Sequence, residues 1–245
     1  MTRAGRRLLV AAAVLAAVAL GAALRHQYLA SRPGTLTLRL QPFVGGEPLV
    51  ANEMRYANPG GDGRFEVRDF QFFLSNVRLT SDTGEYVEPD SYHLVRFDSG
   101  RPEHVITLRD VPRGDYHRIE FGIGVDPAAN HSVEYPGDLD PNGRMAWTWD
   151  VGFKFVLLEG ALLRDGKRSP LVYHVGFDEN YRPVTAGIDA KLPGSGTANL
   201  DLRVDVLRIF TGDTTVDMAA LPKVVFDRED AALLAKNYAA MITPR

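Results

Sequence analysis

Residues 64–79 read Arg-Phe-Glu-Val-Arg-Asp-Phe-Gln-Phe-Phe-Leu-Ser-Asn-Val-Arg-Leu. Phe65, Val67, Phe70, Phe72, Phe73, Val77 and Leu79 recur close to every second position, the period of a strand and not of a helix. Their aromatic and β-branched side chains suit a pleated, buried surface. The stretch predicts two strands or one bent strand. Outward from it, Thr35–Leu40 (T-L-T-L-R-L) alternates strictly, and Tyr92–Phe97, Val105–Leu108 and Tyr116–Ile123 continue the series. Met145–Leu158 is long and apolar, followed by Leu171–Gly176 and by a strong alternation over Ala198–Ile209. Turn-forming clusters separate these runs, among them Asn58-Pro59-Gly60-Gly61, Asp82-Thr83-Gly84 and Arg164-Asp165-Gly166. Short strands at such intervals predict an all-β fold, a single-domain antiparallel β-sandwich or barrel. Helical spacing is convincing only over Arg228–Met241, which predicts a short C-terminal helix.

The N-terminus has a different character. Arg3, Arg6 and Arg7 precede an unbroken apolar run from Leu8 to Leu24. A basic n-region before an apolar h-region predicts a secretory signal peptide, with an uncleaved N-terminal anchor as the alternative. As a helix the run would span roughly 25 Å at about 1.5 Å per residue, the lower limit for crossing a bilayer. The predicted organisation is therefore residues 1–24 as leader, 25–34 as linker and 35–245 as the β-domain, with a periplasmic destination and the inner membrane if the leader stays.

The chain of 245 residues carries a formal charge of −3. Removal of the leader would take away three arginines and no acids, leaving the domain more acidic still. No basic stripe for nucleic acid is present. The sequence contains no cysteine, which rules out disulfides, thiolate zinc sites and iron–sulfur clusters. A bound metal would have to use histidine, carboxylate or a modified side chain.

Six histidines are candidates. His26 adjoins the leader, His104 and His117 lie among charged neighbours and are expected to be solvated, and His93 sits on a strand as a structural residue. His131 follows Asn130 in a turn-rich loop, and His174 ends an apolar strand at Tyr173-His174-Val175-Gly176. Neutral imidazole is a favoured ligand for copper, zinc, iron and nickel, yet two imidazoles need a third partner, which spacing does not supply. Trp147 and Trp149, the only tryptophans, sit in Met145-Ala146-Trp147-Thr148-Trp149. On a strand both would face one side and fill the core, and an intact indole offers no lone pair to a metal. Asp138-Leu139-Asp140-Pro141-Asn142-Gly143 mimics the start of an EF-hand calcium loop. Its twelfth position, however, is Trp149 instead of glutamate. A turn held by Asx hydrogen bonds is the stronger expectation, with calcium as the weaker one.

Several segments together resemble the MbnP family of periplasmic copper proteins, related to the metallo-mystery pair proteins. They are Phe70–Leu79 with its Leu-Ser-Asn, the pair Asn130-His131, Met145-x-Trp147-x-Trp149-x-x-Gly152-Phe153, Tyr173-His174-Val175-Gly176 and Val204–Phe210. The resemblance covers about residues 35–212. It implies one copper ion held by His131, His174 and a kynurenine formed from Trp147 or Trp149. Opening the indole ring frees an aryl amine whose nitrogen lone pair a metal can use. The implied partner is a di-haem enzyme of the cytochrome c peroxidase type, with this chain as its substrate and not itself an enzyme. The four-cysteine branch of these relatives is excluded by composition. Two other classes stay open on the residues alone: a metal-free β-sandwich binding carbohydrate or protein, and a hydrolase using Glu134, Asp138, Asp140 or Asp150.

Overall fold

A computed structural model describes residues 18–22, 24, 25, 32–98, 101–148, 150–194 and 196–245. Most of the expected leader and linker, together with His26 and Trp149, lie outside the described residues. Among the described residues no helix is long and apolar enough to cross a membrane.

Among the described residues fourteen strands follow one another: β1 (Gly34–Val44), β2 (Glu47–Pro48), β3 (Tyr56–Ala57), β4 (Arg64–Ser81), β5 (Gly84–Val87), β6 (Tyr92–Phe97), β7 (His104–Val111), β8 (Gly114–Ile123), β9 (Lys154–Arg164), β10 (Lys167–Gly176), β11 (Arg182–Leu192), β12 (Thr197–Asp205), β13 (Lys223–Val224) and β14 (Ile242–Pro244). The smaller sheet runs β14-β12-β1-β2, with β7 also on β1. The larger runs β11-β8-β4-β9-β10-β13, with β3, β5 and β6 also on β4. The two sheets pack as a sandwich. Pairing is antiparallel except for β1 with β12 and β10 with β13, so both sheets are mixed.

Strict alternation explains β1. Its odd partners face solvent and its even leucines, Leu36, Leu38 and Leu40, are fully buried. They meet Phe65, Phe70 and Phe72 of β4 and Leu202 and Val204 of β12 in the main core. Each such side chain stabilises the fold by roughly 1.5–3 kcal/mol through burial alone. The C-terminal helix, Arg228–Tyr238, closes this core with Ala231, Leu234 and Tyr238. Asp227 caps it, accepting the Asp230 N–H at 2.9 Å, and its first turn is acidic as the helix dipole favours.

Residues 64–81 form one continuous strand that is the spine of the larger sheet. Along one edge it pairs with β9 over Arg64–Phe72 and then with β8 from Leu74 to Ser81. The fork lies at Phe73, whose carbonyl accepts the Gly124 N–H at 2.8 Å. At this fork β8 leaves and β9 enters, so the loop 124–153 starts and ends on the same spot. Asn76 permits the accompanying irregularity, adopting a left-handed φ of 56° that asparagine tolerates better than most residues.

Phe73 faces away from the main core. With Leu94, Val125, Ala129, Leu139, Met145, Phe153, Phe155 and Leu157 it forms a second apolar cluster, which pins loop 124–153 to the outer face of the sheet. Two expectations need correction here. The described residues of 145–153 form no strand, since β9 begins only at Lys154. Trp147 therefore lies outside any strand, and the strand rule for which face it takes does not apply to it. In addition, Arg182–Leu192 is a full strand that the sequence reading omits. Its alternation over Val184, Ala186, Ile188, Ala190 and Leu192 is weakened by small residues, Pro183 and Gly187.

Candidate metal centre

Loop 124–153 is built from its first turn. Asp126 caps the short helix Pro127–Asn130, accepting from the N–H groups of Ala128 (3.2 Å) and Ala129 (3.3 Å). The same carboxylate takes hydrogen bonds from Tyr92 Oη at 2.6 Å and Asn76 Nδ2 at 2.9 Å. Burial alone would raise the Asp126 pKa, but these hydrogen bonds outweigh it and hold the group below the usual carboxylate value. The Leu-Ser-Asn segment on β4 thus anchors the loop that carries His131.

His131 follows the helix directly, with its side chain 48 % exposed. Its Nε2 lies 2.8 Å from Asp178 Oδ2, while Asp178 Oδ1 accepts Asn130 Nδ2 at 2.8 Å. Asn130 in turn accepts the Phe153 N–H at 2.8 Å. Gly152 makes this possible: a Cβ there would lie 2.2 Å from Asn130 Oδ1, and its φ of +85° disfavours any other residue. Asp178 follows Phe177, a non-glycine residue at φ 70°, a backbone state that costs on the order of 1–3 kcal/mol and tends to mark functional sites.

Trp147 is half-buried and not a core residue. It packs between Phe177 (centroids 5.2 Å) and Phe226 (4.9 Å), and its six-membered ring rests on Gly176, where a Cβ would approach Cζ3 to 2.5 Å. Lys154 Nζ bonds the carbonyls of Arg144 (2.5 Å) and Ala146 (3.1 Å) and lies 6.0 Å from the Trp147 ring. Burial, and then Arg144, lower the Lys154 pKa. His131 and Trp147 line one cleft together with Asn130, Tyr135, Thr148 and Phe153.

His174 stands two residues before Gly176 on the outer face of β10, with its side chain 16 % exposed. Its Nε2 lies 3.0 Å from Glu159 Oε1, and Arg144 Nη2 donates to Glu159 Oε2 at 2.6 Å. Arg144 also pairs with Asp69, which Gln71 holds in turn. Burial lowers the His174 pKa, only partly offset by Glu159, which favours the neutral ring that a metal needs. His174 does not line the clefts at His131.

Among the described residues no three His, Asp or Glu side chains form a ready-made metal cluster. Each of the two candidate histidines instead has a carboxylate behind it, an arrangement that orients imidazoles. Other candidates resolve differently. His93 pairs with Glu88 at 2.7 Å, a structural role as expected. His104 is half-buried and only partly solvated, and burial pushes its pKa down. His117 stays exposed, 3.7 Å from Asp82. Asp138 accepts the Leu94 N–H and Asp140 the Asn142 N–H, both at 2.9 Å, so the calcium-like segment is an Asx turn stapled to β6. Glu134 and Asp150 are exposed.

Asp178, Arg144, Lys154, Phe177 and Phe226 are functional neighbours that the sequence reading missed, because they reach the site from four separate segments. Glu159 had a visible signal, a lone charge within the apolar run Phe155–Leu162.

The fold and the cleft define a class: a two-sheet β-sandwich carrying an exposed histidine and a half-buried tryptophan on one long loop at a sheet fork. A model of the MbnP family matches residues 33–226, and the chain belongs to that family. A solved structure of MbnP from Methylosinus trichosporium shares the fold, with a TM-score of 0.52 at 17 % identity, covering 82 % of this chain and 93 % of that one. No curated protein matches the chain.

Proposed function

We propose that this chain is an exported protein that binds one copper ion through His131, His174 and a kynurenine made from Trp147 or Trp149, and serves copper acquisition or handling in the periplasm. The observation that carries the reading is the meeting of His131 and Trp147 in one cleft, with His174 two residues from the glycine beneath the same indole. Family membership supports it from a separate direction. Copper is the cargo, and histidine sites favour it in the divalent affinity order. The chain's own groups supply the rest. Asp178 and Glu159 hold the imidazoles, Phe177 and Phe226 hold the indole between them, and Arg144 and Lys154 fasten the loop. The oxidation of the indole belongs to a di-haem partner of the cytochrome c peroxidase type, for which this chain is substrate.

Peptide mass spectrometry on protein from its native periplasm, with copper quantified in the same sample, tests this reading. The expected result is a mass gain equal to one oxygen less one carbon on the peptide holding both tryptophans, with fragmentation showing which one is changed. Near-stoichiometric copper that is lost in His131→Ala and His174→Ala completes it. Two intact tryptophans and no copper in the native sample would overturn it and favour a metal-free binding module.

A further inference from the structure

We propose that Asp178 and Glu159 are positioning residues that fix His131 and His174 as Nε2–H tautomers, so that Nδ1 is the atom each ring offers to a metal. The metal's identity rests on the copper reading above; the tautomers are a property of the metal-free chain.

The two histidines reach the site from unrelated segments, a loop and a strand end, yet their surroundings repeat one pattern. In each, a carboxylate uses one oxygen for the imidazole and has the other oxygen filled by a donor. At His131 that donor is Asn130 Nδ2, 2.8 Å from Asp178 Oδ1. Asn130 cannot turn its amide round, because its oxygen already accepts the Phe153 N–H at 2.8 Å. At His174 the donor is Arg144 Nη2, 2.6 Å from Glu159 Oε2, and a guanidinium is always protonated. Arg144 is itself held by Asp69.

Each carboxylate acts here as the acceptor, with its other oxygen already taken by a donor. The hydrogen in each short pair, 2.8 Å for His131 and 3.0 Å for His174, therefore resides on Nε2 of the ring. A neutral imidazole has one N–H and one lone pair, so the lone pair falls on Nδ1. Among the described residues no hydrogen bond to either Nδ1 competes for it. The carboxylates also set the ring planes, which removes rotamers that the binding step would otherwise have to select.

The test is histidine-resolved 15N and 13C spectroscopy of the metal-free full chain, at a pH above the ordinary imidazole pKa of about 6.5. Expected are protonated Nε2 and bare Nδ1 on both rings. Asp178→Asn should turn His131 alone into a tautomer mixture, and Glu159→Gln should do the same to His174 alone. Core methyl shifts should stay unchanged in both variants, and copper binding should weaken about 10–100-fold. A merely structural role would move neither tautomer. An Nδ1–H tautomer on either wild-type ring, or a variant that leaves its histidine's tautomer untouched, would overturn the proposal. Failure of the copper reading would show separately, as wild-type chain that retains no copper.

Discussion

The two faces of the larger sheet are covered in different ways. The inner face meets the smaller sheet and the C-terminal helix through a broad aliphatic and aromatic core. Among the described residues, the outer face around Phe73 is covered by loop 124–153, held by a small apolar cluster and by side-chain hydrogen bonds at Asp126, Asp138, Asn130 and Arg144. Stability therefore concentrates on one side of the sheet and ligand geometry on the other. A site assembled by a loop over a rigid sheet can be loosened without unfolding its platform.

Attacking the inner face should have the largest effect. Leu38→Ala, at a fully buried position, is expected to cost about 2–5 kcal/mol, seen as a lower midpoint in denaturant with both faces lost together. If loop 124–153 kept native exchange protection in a chain with a melted core, the two faces would not be coupled as described. Gly152→Ala comes next. Its Cβ would collide with Asn130 at 2.2 Å, and its positive φ adds strain on the order of 1–3 kcal/mol. Amide exchange should rise in 124–153 and near His131 while β1 and β12 stay protected.

Asp126→Ala removes the loop's first pin and should cost about 0.5–2 kcal/mol, the usual range for an N-cap. The pH dependence has a definite sign. The Asp126 pKa is depressed in the folded state, so its contribution is complete above the ordinary carboxylate value of about 3.9. That contribution is lost as pH falls through the lower folded value. Acid titration of the wild-type chain should therefore loosen the loop in a step that the alanine variant lacks. The smallest effect on stability is expected from Phe226→Ala, since the ring is 61 % exposed and surface changes usually stay within about 0.5 kcal/mol. In a Trp149→Phe background it should still increase collisional quenching of Trp147 fluorescence, because Phe226 covers that indole. Unchanged quenching would mean that Phe226 does not shield the site.

Legibility in the sequence follows the same division. β6 was legible to its ends as a short apolar run, and β1, β8 and β10 to within a few residues because burial of one face imprints a period of two on them. The bent run 64–79 was legible as strand, and its double-faced phenylalanines, Phe72 and Phe73, make sense once both faces prove to be covered. That the apolar run from Met145 enters a strand only at Lys154 was not legible, since apolar residues packed by a loop look like those of a strand. The weak alternation of β11 was overlooked for want of large side chains. At the site, His131, His174 and the tryptophans stood out by residue type and family resemblance. Asp178 and Arg144 did not, because a carboxylate or guanidinium in a turn has no pattern that distinguishes a partner from a solvated charge.

By itself the sequence determined the all-β class, the terminal helix, the absence of thiol chemistry and the family to which the chain belongs. These depend on side-chain chemistry and short-range periodicity, both of which a linear string contains. Only the tertiary structure decided that β4 forks at Phe73, that Trp147 rests on Gly176, and that each histidine has its own carboxylate. The two histidine–carboxylate pairs alone join residues 15 and 47 positions apart, and contacts at such separations are set by strand register and loop packing, which no local pattern encodes.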